Sequence, residues 1–167
     1  MNTDLHFSSE SMEWNTPKYL FDTFNKTYNF DLDPCATPEN TLCEKFYTTH
    51  EDGLAQSWAN HRVFLNPPYG KDIGKWVKKA LKEATDHHAV VVCLLPARTD
   101  TKWFWDYCQH GIIQFLQGRV NFSNHKNNAP FPSMIVTFDQ EKHQNPRIFS
   151  LDHKAIRNDW QVNKVNL

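Results

Sequence analysis

Residues 66–69 read Asn-Pro-Pro-Tyr, directly after the apolar run Val63-Phe64-Leu65 and directly before Gly70. A short buried strand that ends in a carboxamide, two prolines and an aromatic ring can grip an exocyclic amine on a flat heterocycle. Such an amine, on adenine for example, has its lone pair delocalised into the ring and is a poor nucleophile. A catalyst need only accept hydrogen bonds from the NH2 and draw the nitrogen toward tetrahedral geometry. The Asn66 side-chain oxygen is one acceptor, and the Pro67 carbonyl, past the strand end and outside its ladder, is the candidate for the second. Pro67 pushes Asn66 into the extended region and Pro68 does the same to Pro67, so both acceptors are set before substrate arrives. Preorganised dipoles of this kind are the main lever of electrostatic catalysis. Tyr69 can stack on the base, an interaction worth about 1–3 kcal/mol in nucleic-acid systems. The competing reading is a proline-rich turn with Tyr69 as rim packing; the position between an apolar strand and a helix favours chemistry.

The elements that must hold this segment are readable around it. Thr16-Pro17 predicts a helix start, with an amphipathic helix over 17–27 burying Leu20, Phe21 and Phe24. Phe30 to Asp33 reads as a strand ending in a carboxylate, and Thr37-Pro38-Glu39-Asn40 as a second capped start, of a short helix through Cys43. Glu51 to Leu54 is a turn, and Arg62 to Leu65 a strand into Asn66. The helix over 71–85 has Ile73, Trp76, Val77, Ala80, Leu81 and Ala84 on its apolar face. Ala89 to Leu95 is an unbroken apolar run, rich in β-branched residues, that predicts a central strand closed by Pro96. Residues 99–109 read as helix and 112–116 as strand; Gly118–Phe122 and Ser133–Phe138 are predicted to pair as a hairpin across 123–130, with an edge strand over 147–151. Strands alternating with helices early and clustering late predict one α/β domain with a mixed, mostly parallel sheet flanked by helices. Residues 1–13 are read as a flexible N-terminus, 14–151 as the domain and 152–167 as a polar C-terminal tail. In open α/β sheets ligands bind outside the carboxyl ends of the strands, where Asp33, Asn66 and Pro96 would converge.

The chain has 167 residues, 40% of them hydrophobic and 14% aromatic, enough for one packed core. It shows no apolar run near the length of a membrane span and no signal-peptide pattern, so a cytoplasmic protein is expected. Cys35, Cys43, Cys93 and Cys108 fit no zinc or redox spacing, and the nine histidines are scattered, so no metal is expected. With a formal net charge of −1, any nucleic-acid binding must rest on a local basic patch.

The chain resembles the phage-type Dam-like DNA N6-adenine methyltransferases. The resemblance rests on Trp14-Asn15-Thr16-Pro17, Phe30 to Ala36, Glu51-Asp52-Gly53-Leu54 with Trp58, Phe64 to Gly70, Leu116 to Phe122, and Ala129-Pro130-Phe131-Pro132. It covers roughly residues 14–138, and the order and spacing are far more specific than any one motif. It implies a minimal, Rossmann-like methyltransferase sheet, S-adenosylmethionine as methyl donor, double-stranded DNA as partner, and a phage or prophage setting inside a bacterial or phage-infected cell. Carried over, Asp33, Pro34, Cys35 and Ala36 match the donor-binding strand end, and Asp52 with Gly53 the acid that meets the donor's adenine amine. Trp14, Thr16 and Pro17 match the N-terminal donor segment, and Asn66, Pro67, Pro68 and Tyr69 the catalytic motif. One departure is plain: the glycine-rich loop usual after the first acidic strand end is replaced by Ala36-Thr37-Pro38. The N-terminus of the short helix at Pro38 is expected to face the methionine carboxylate instead. The family also implies a flipped adenine and a short palindrome such as GATC, with protection from restriction one possible role.

DNA contacts are sought among basic residues near the motif. Lys71, Lys75, Lys78 and Lys82 recur at helical spacing, although a solvated helix face explains them as well. Arg98, Lys102, Arg119 and Lys126 are further candidates, and the loop 121–130 is rich in groups able to read base edges. From the residues alone, the motif also serves methylation of cytosine N4, RNA adenine or protein glutamine. The missing glycine loop leaves room for a non-catalytic nucleic-acid-binding module.

Overall fold

A computed structural model describes residues 13–141, 148–151 and 153–165. Residues 1–12 of the expected N-terminal segment lie outside the described residues, as does residue 147 of the expected edge strand.

The apolar spacing at the start of the chain produces α1 (Lys18–Tyr28), which buries Tyr19, Leu20, Phe21 and Phe24. Its start differs by one residue from expectation. Pro17, with φ −64° and ψ 130°, is itself the cap residue, and its carbonyl accepts from the Leu20 and Phe21 N–H groups. Thr16 therefore makes no cap bond, and its hydroxyl is left for another use. Phe21 meets Phe30 and Phe64 at ring-centroid distances of 5.5 and 5.2 Å, which docks α1 on the sheet.

β1 (Leu32–Asp33), β2 (Lys45–Phe46), β3 (Arg62–Leu65) and β4 (Val90–Pro96) run parallel to one another, while the other edge of β4 pairs antiparallel with residues 133–138. β5 (Ile112–Leu116) and β6 (Ser133–Phe138) are antiparallel, and β7 (Ile148–Leu151) adds to β5 in parallel. Among the described residues, these form one seven-stranded sheet in the order β2-β1-β3-β4-β6-β5-β7. From β1 the chain goes to one side for β2 and to the other for β3, so strand order reverses there and a crevice opens at the carboxyl ends of β1 and β3. β4 is central and buried at all but its first residue, as its apolar run predicts. α2 (Ile73–His87) turns Ile73, Trp76, Val77, Ala80 and Ala84 inward. α3 (Lys102–Asp106) is shorter than expected and passes into a single 3-10 turn at Cys108–His110.

Three expectations are corrected. Gly118–Phe122 is no strand: both edges of β6 are taken, by β4 and by β5, so nothing remains for a hairpin partner. Val120 and Phe122 are fully buried all the same, and Ala129 N–H closes the excursion onto the Val120 carbonyl at 2.8 Å. The short helix at 37–43 is a single turn, because Asn40 Oδ1 takes the Thr37 N–H at 2.7 Å and Thr41 Oγ1 bonds the Cys43 carbonyl, diverting the chain into β2. The polar segment after 151, read as a tail, carries α4 (His153–Val165), whose Trp160 indole N–H donates to Asp22 on α1 at 2.9 Å.

Candidate active site

One cleft at the carboxyl ends of β1 and β3 is lined by Glu13 to Thr16, Asp33 to Thr37, Asn40, Thr48, Thr49, Asp52, Gly53, Asn66 to Pro68 and Trp76. The space within and in front of it, open solvent included, is about 890 Å³. It brings together residues from four separate stretches of sequence: Trp14 and Thr16, Asp33 to Ala36, Asp52 with Gly53, and Asn66 with Pro67 and Pro68. Pro17 and Tyr69 do not line it, nor does Pro96 at the end of β4.

The geometry of Asn66 follows from what its carboxamide touches. Nδ2 donates to the Trp14 carbonyl and, at 2.9 Å, to Thr16 Oγ1. A carbonyl only accepts, so Trp14 fixes which end of the amide faces it. Oδ1 is left buried with no hydrogen-bond partner. Such an orphaned acceptor costs roughly 1–3 kcal/mol, and among the described buried side chains so left, with Tyr19 and Ser133, Asn66 is the one whose residue lines the cleft. The backbone around it is equally committed. The Asn66 carbonyl accepts from the Cys35 thiol at 3.2 Å, and the Pro68 carbonyl from Gly70 N–H at 3.0 Å. Of these three successive carbonyls, that of Pro67 is the one left for a ligand.

Tyr69 is buried rather than presented as a platform. Its hydroxyl donates to the Leu94 carbonyl at 3.0 Å, and its ring meets Phe122 and Phe131 edge-on at 6.1 and 5.5 Å. Burial pushes its phenol well above the ordinary range, so it stays neutral. Arg98 lies close enough for its charge to oppose that shift.

Asp33 ends β1 inside the cleft. Burial pushes its carboxyl up to about 7, against the opposing pull of the Cys35 N–H, which donates to Oδ1 at 3.3 Å. Burial also raises the Cys35 thiol, keeping it a neutral donor to Asn66. Opposite, the 51–54 turn is anchored from below. Trp58 is fully buried, donates its indole N–H to the Gly53 carbonyl at 2.9 Å and stacks on Trp76. Buried Glu83 receives the Trp58 N–H at 3.0 Å. Asp52 sits at φ 53° and accepts the Leu54 N–H through Oδ1 at 3.1 Å, which is turn chemistry; the residue is exposed and lines the cleft. Gly53 is required by contact: a Cβ there would sit 1.8 Å from the Pro34 carbonyl oxygen. With no helix at Pro38, the expected helix N-terminus for a carboxylate is absent; Thr37 and Asn40 line the cleft there, Asn40 Oδ1 being taken by the Thr37 N–H.

Sequence reasoning missed Glu13, Asn15, Thr37, Asn40, Thr48, Thr49 and Trp76 in the lining. Asn15 lay inside a motif already quoted; the threonines and Asn40 carry no local signal beyond turn composition. The expected basic surface is only partly available. Lys75 pairs with Asp72 at 2.7 Å, Lys82 with Asp86, and Lys102 with Asp106. Lys71, Arg98, Arg119 and Lys126 are exposed. The loop 121–130 is folded onto residues 13–16, with His125 stacked on Trp14 at 3.9 Å.

Comparison with known proteins covers most of the chain. A family model described as DNA N-6-adenine-methyltransferase (Dam) matches residues 6–163. A DNA N-6-adenine-methyltransferase of Haemophilus phage HP1 (strain HP1c1) is 32% identical over 138 residues, 75% of this chain and 78% of that protein. Another, of Escherichia phage T1, is 40% identical over 100 residues, 58% of this chain and 41% of that protein.

Proposed function

This chain belongs to the DNA N-6-adenine-methyltransferase (Dam) family, and from that premise we propose that it methylates the exocyclic N6 amine of adenine in duplex DNA, with S-adenosylmethionine as donor. The observation that carries the reading is the Asn66 carboxamide, with Nδ2 tied to Trp14 and Thr16 and Oδ1 buried and unpartnered.

The cleft suits such a donor in its chemistry. A desolvated carboxyl at Asp33 can pair with a cationic ligand, Trp14 and Trp76 supply apolar walls, and the Thr37, Asn40, Thr48 and Thr49 side chains supply polar ones. Asp52, at the edge, is the candidate acceptor for the donor's own adenine amine. When bound, the donor supplies an electrophilic methyl group on a sulfonium. The chain's part is to hold the acceptor nitrogen in line. Asn66 Oδ1 and the Pro67 carbonyl each accept one N–H of the target amine, which localises its lone pair toward the methyl. Neither acceptor has another hydrogen-bond partner to give up, and because Oδ1 is buried the groups that cover it must yield as the amine enters. The proton displaced from nitrogen leaves after transfer, and no strong base is required. In a duplex the amine is paired, so the adenine must be extruded, and Tyr69, buried against Phe122 and Phe131, offers it no stacking face as it stands. A short palindrome such as GATC is the first site to look for.

Asn66→Ala tests this directly. The variant should fold and bind donor like the parent, yet lose methyl transfer to DNA by a factor of roughly 100–1,000, the range for removing one preorganised transition-state contact. Near-parental transfer by the folded variant would remove the reading. Offering tritiated donor with DNA, RNA and protein separates adenine in DNA from the other amines this motif serves.

A further inference from the structure

We propose that Asn124 is a positioning residue that sets the orientation of the Asn66 carboxamide through the Trp14–Asn15 peptide; this rests on the role assigned to Asn66 above. The Trp14 carbonyl that receives Asn66 Nδ2 and the Asn15 N–H belong to one peptide unit. That unit is planar, with its C=O and N–H pointing opposite ways. Asn124 Oδ1 accepts the Asn15 N–H at 2.9 Å, so it fixes the plane and thereby aims the carbonyl at Asn66.

The strap 13–16 belongs to no strand, and residues 123–125 supply its backbone partners. Asn124 Nδ2 donates to the Glu13 carbonyl at 3.0 Å. Ser123 donates through both N–H and Oγ to the Asn15 carbonyl, at 3.0 and 3.1 Å. The far side of the loop is rooted by Phe122, which is fully buried. The result is a rigid route of two hydrogen bonds and one peptide plane from a loop 58 positions downstream to the candidate catalytic acceptor. Without it the Trp14–Asn15 peptide loses the bond that fixes its N–H side, and its plane can tilt against the Ser123 bonds that hold the next carbonyl. The Asn66 amide then loses what distinguishes its two ends, and Oδ1 is presented only part of the time. Lys126 lies two positions on, so DNA held by this loop bears on the same geometry.

The test uses the whole protein and compares Asn124→Ala with Asn124→Asp, which keeps an acceptor for Asn15 N–H. At saturating donor and DNA, Asn124→Ala should slow single-turnover methyl transfer by about 10- to 100-fold, as expected for a misplaced catalytic group, with KM for DNA little changed. Asn124→Asp should recover most of the rate. Independently of activity, NMR of the Asn66 side-chain amide, assigned by its loss in Asn66→Ala, should show faster hydrogen exchange in Asn124→Ala and parental exchange in Asn124→Asp. A raised KM for DNA with an unchanged single-turnover rate would make Asn124 a DNA contact and overturn the proposal. So would unchanged exchange at Asn66. If Asn124→Ala fails to fold, Asn124→Ser, too short to reach Asn15, makes the same comparison. If the parent itself methylates no DNA, the proposed function falls, while the exchange measurement still decides the role of Asn124.

Discussion

Asp33 holds its proton far more tightly than a carboxyl in water, because burial at the end of β1 raises it to about 7. Folding therefore favours its protonated form. The stability associated with that proton is complete below about pH 4, the unfolded value, and is lost as pH rises through 7. A cationic donor favours the carboxylate, so its binding must drive the proton off below neutrality. Donor affinity measured by calorimetry should therefore rise with pH, by up to about tenfold per unit from 5.5 to 7, then level. Asp33→Asn should bind more weakly, lose this dependence, and be more heat-stable than the parent at pH 8. A flat pH profile in the parent would show that the carboxyl does not face the donor's charge. Asn66, Pro67 and Asp33 were legible in the sequence because each follows an apolar strand and is of a type that strand ends rarely need. Asn15, Ser123 and Asn124 were not legible as a unit. Their bonds join residues more than 100 positions apart through side chain to backbone, and such pairings leave no period or local composition to read.

At the scale of elements, the cleft depends on how closely the 51–54 turn approaches the end of β1. The 1.8 Å that a Cβ at Gly53 would leave to the Pro34 oxygen lies against backbone, which cannot swing aside as a side chain can. Gly53→Ala should push the turn outward, costing about 1–3 kcal/mol, or about 2–10 °C in Tm for a chain of this length. Donor affinity should fall at least tenfold with it, while parental Tm and affinity together would refute the contact. Trp58 explains why the turn sits there at all, since its buried indole holds the Gly53 carbonyl from beneath. Helices α1 and α2 and strand β4 were readable from periodicity because each buries a continuous apolar face. The 118–122 segment misled for the same reason: Val120 and Phe122 alternate like a strand and are buried like one, but β6 has no free edge to offer. Helix α4 escaped notice because Ile156 and Trp160 are the only apolar residues its described part sets against the core.

For the molecule as a whole, a net charge of −1 means that DNA must be held by local charge. On α2, Lys75 and Lys82 each face an acid within one turn, so neither is a strong phosphate ligand. Lys82→Gln should leave DNA affinity within about twofold, whereas Arg98→Ala and Lys126→Ala should each lower the slope of log affinity against log salt by about one. Filter binding over a salt series reads this, and an equal loss of slope in all three variants would contradict it. The fold class was legible from the order of strands and helices, and the mixed sheet with its crevice between β1 and β3 is what gathers residues from 14 to 68 around one cavity. The most direct test of the account is nucleoside analysis of DNA from a host lacking adenine methylation, expressing either the parent or Asn66→Ala. The account predicts N6-methyladenine with the parent and its loss with a folded Asn66→Ala. Methylation retained by that variant, or a mark found on cytosine and not on adenine, would contradict it.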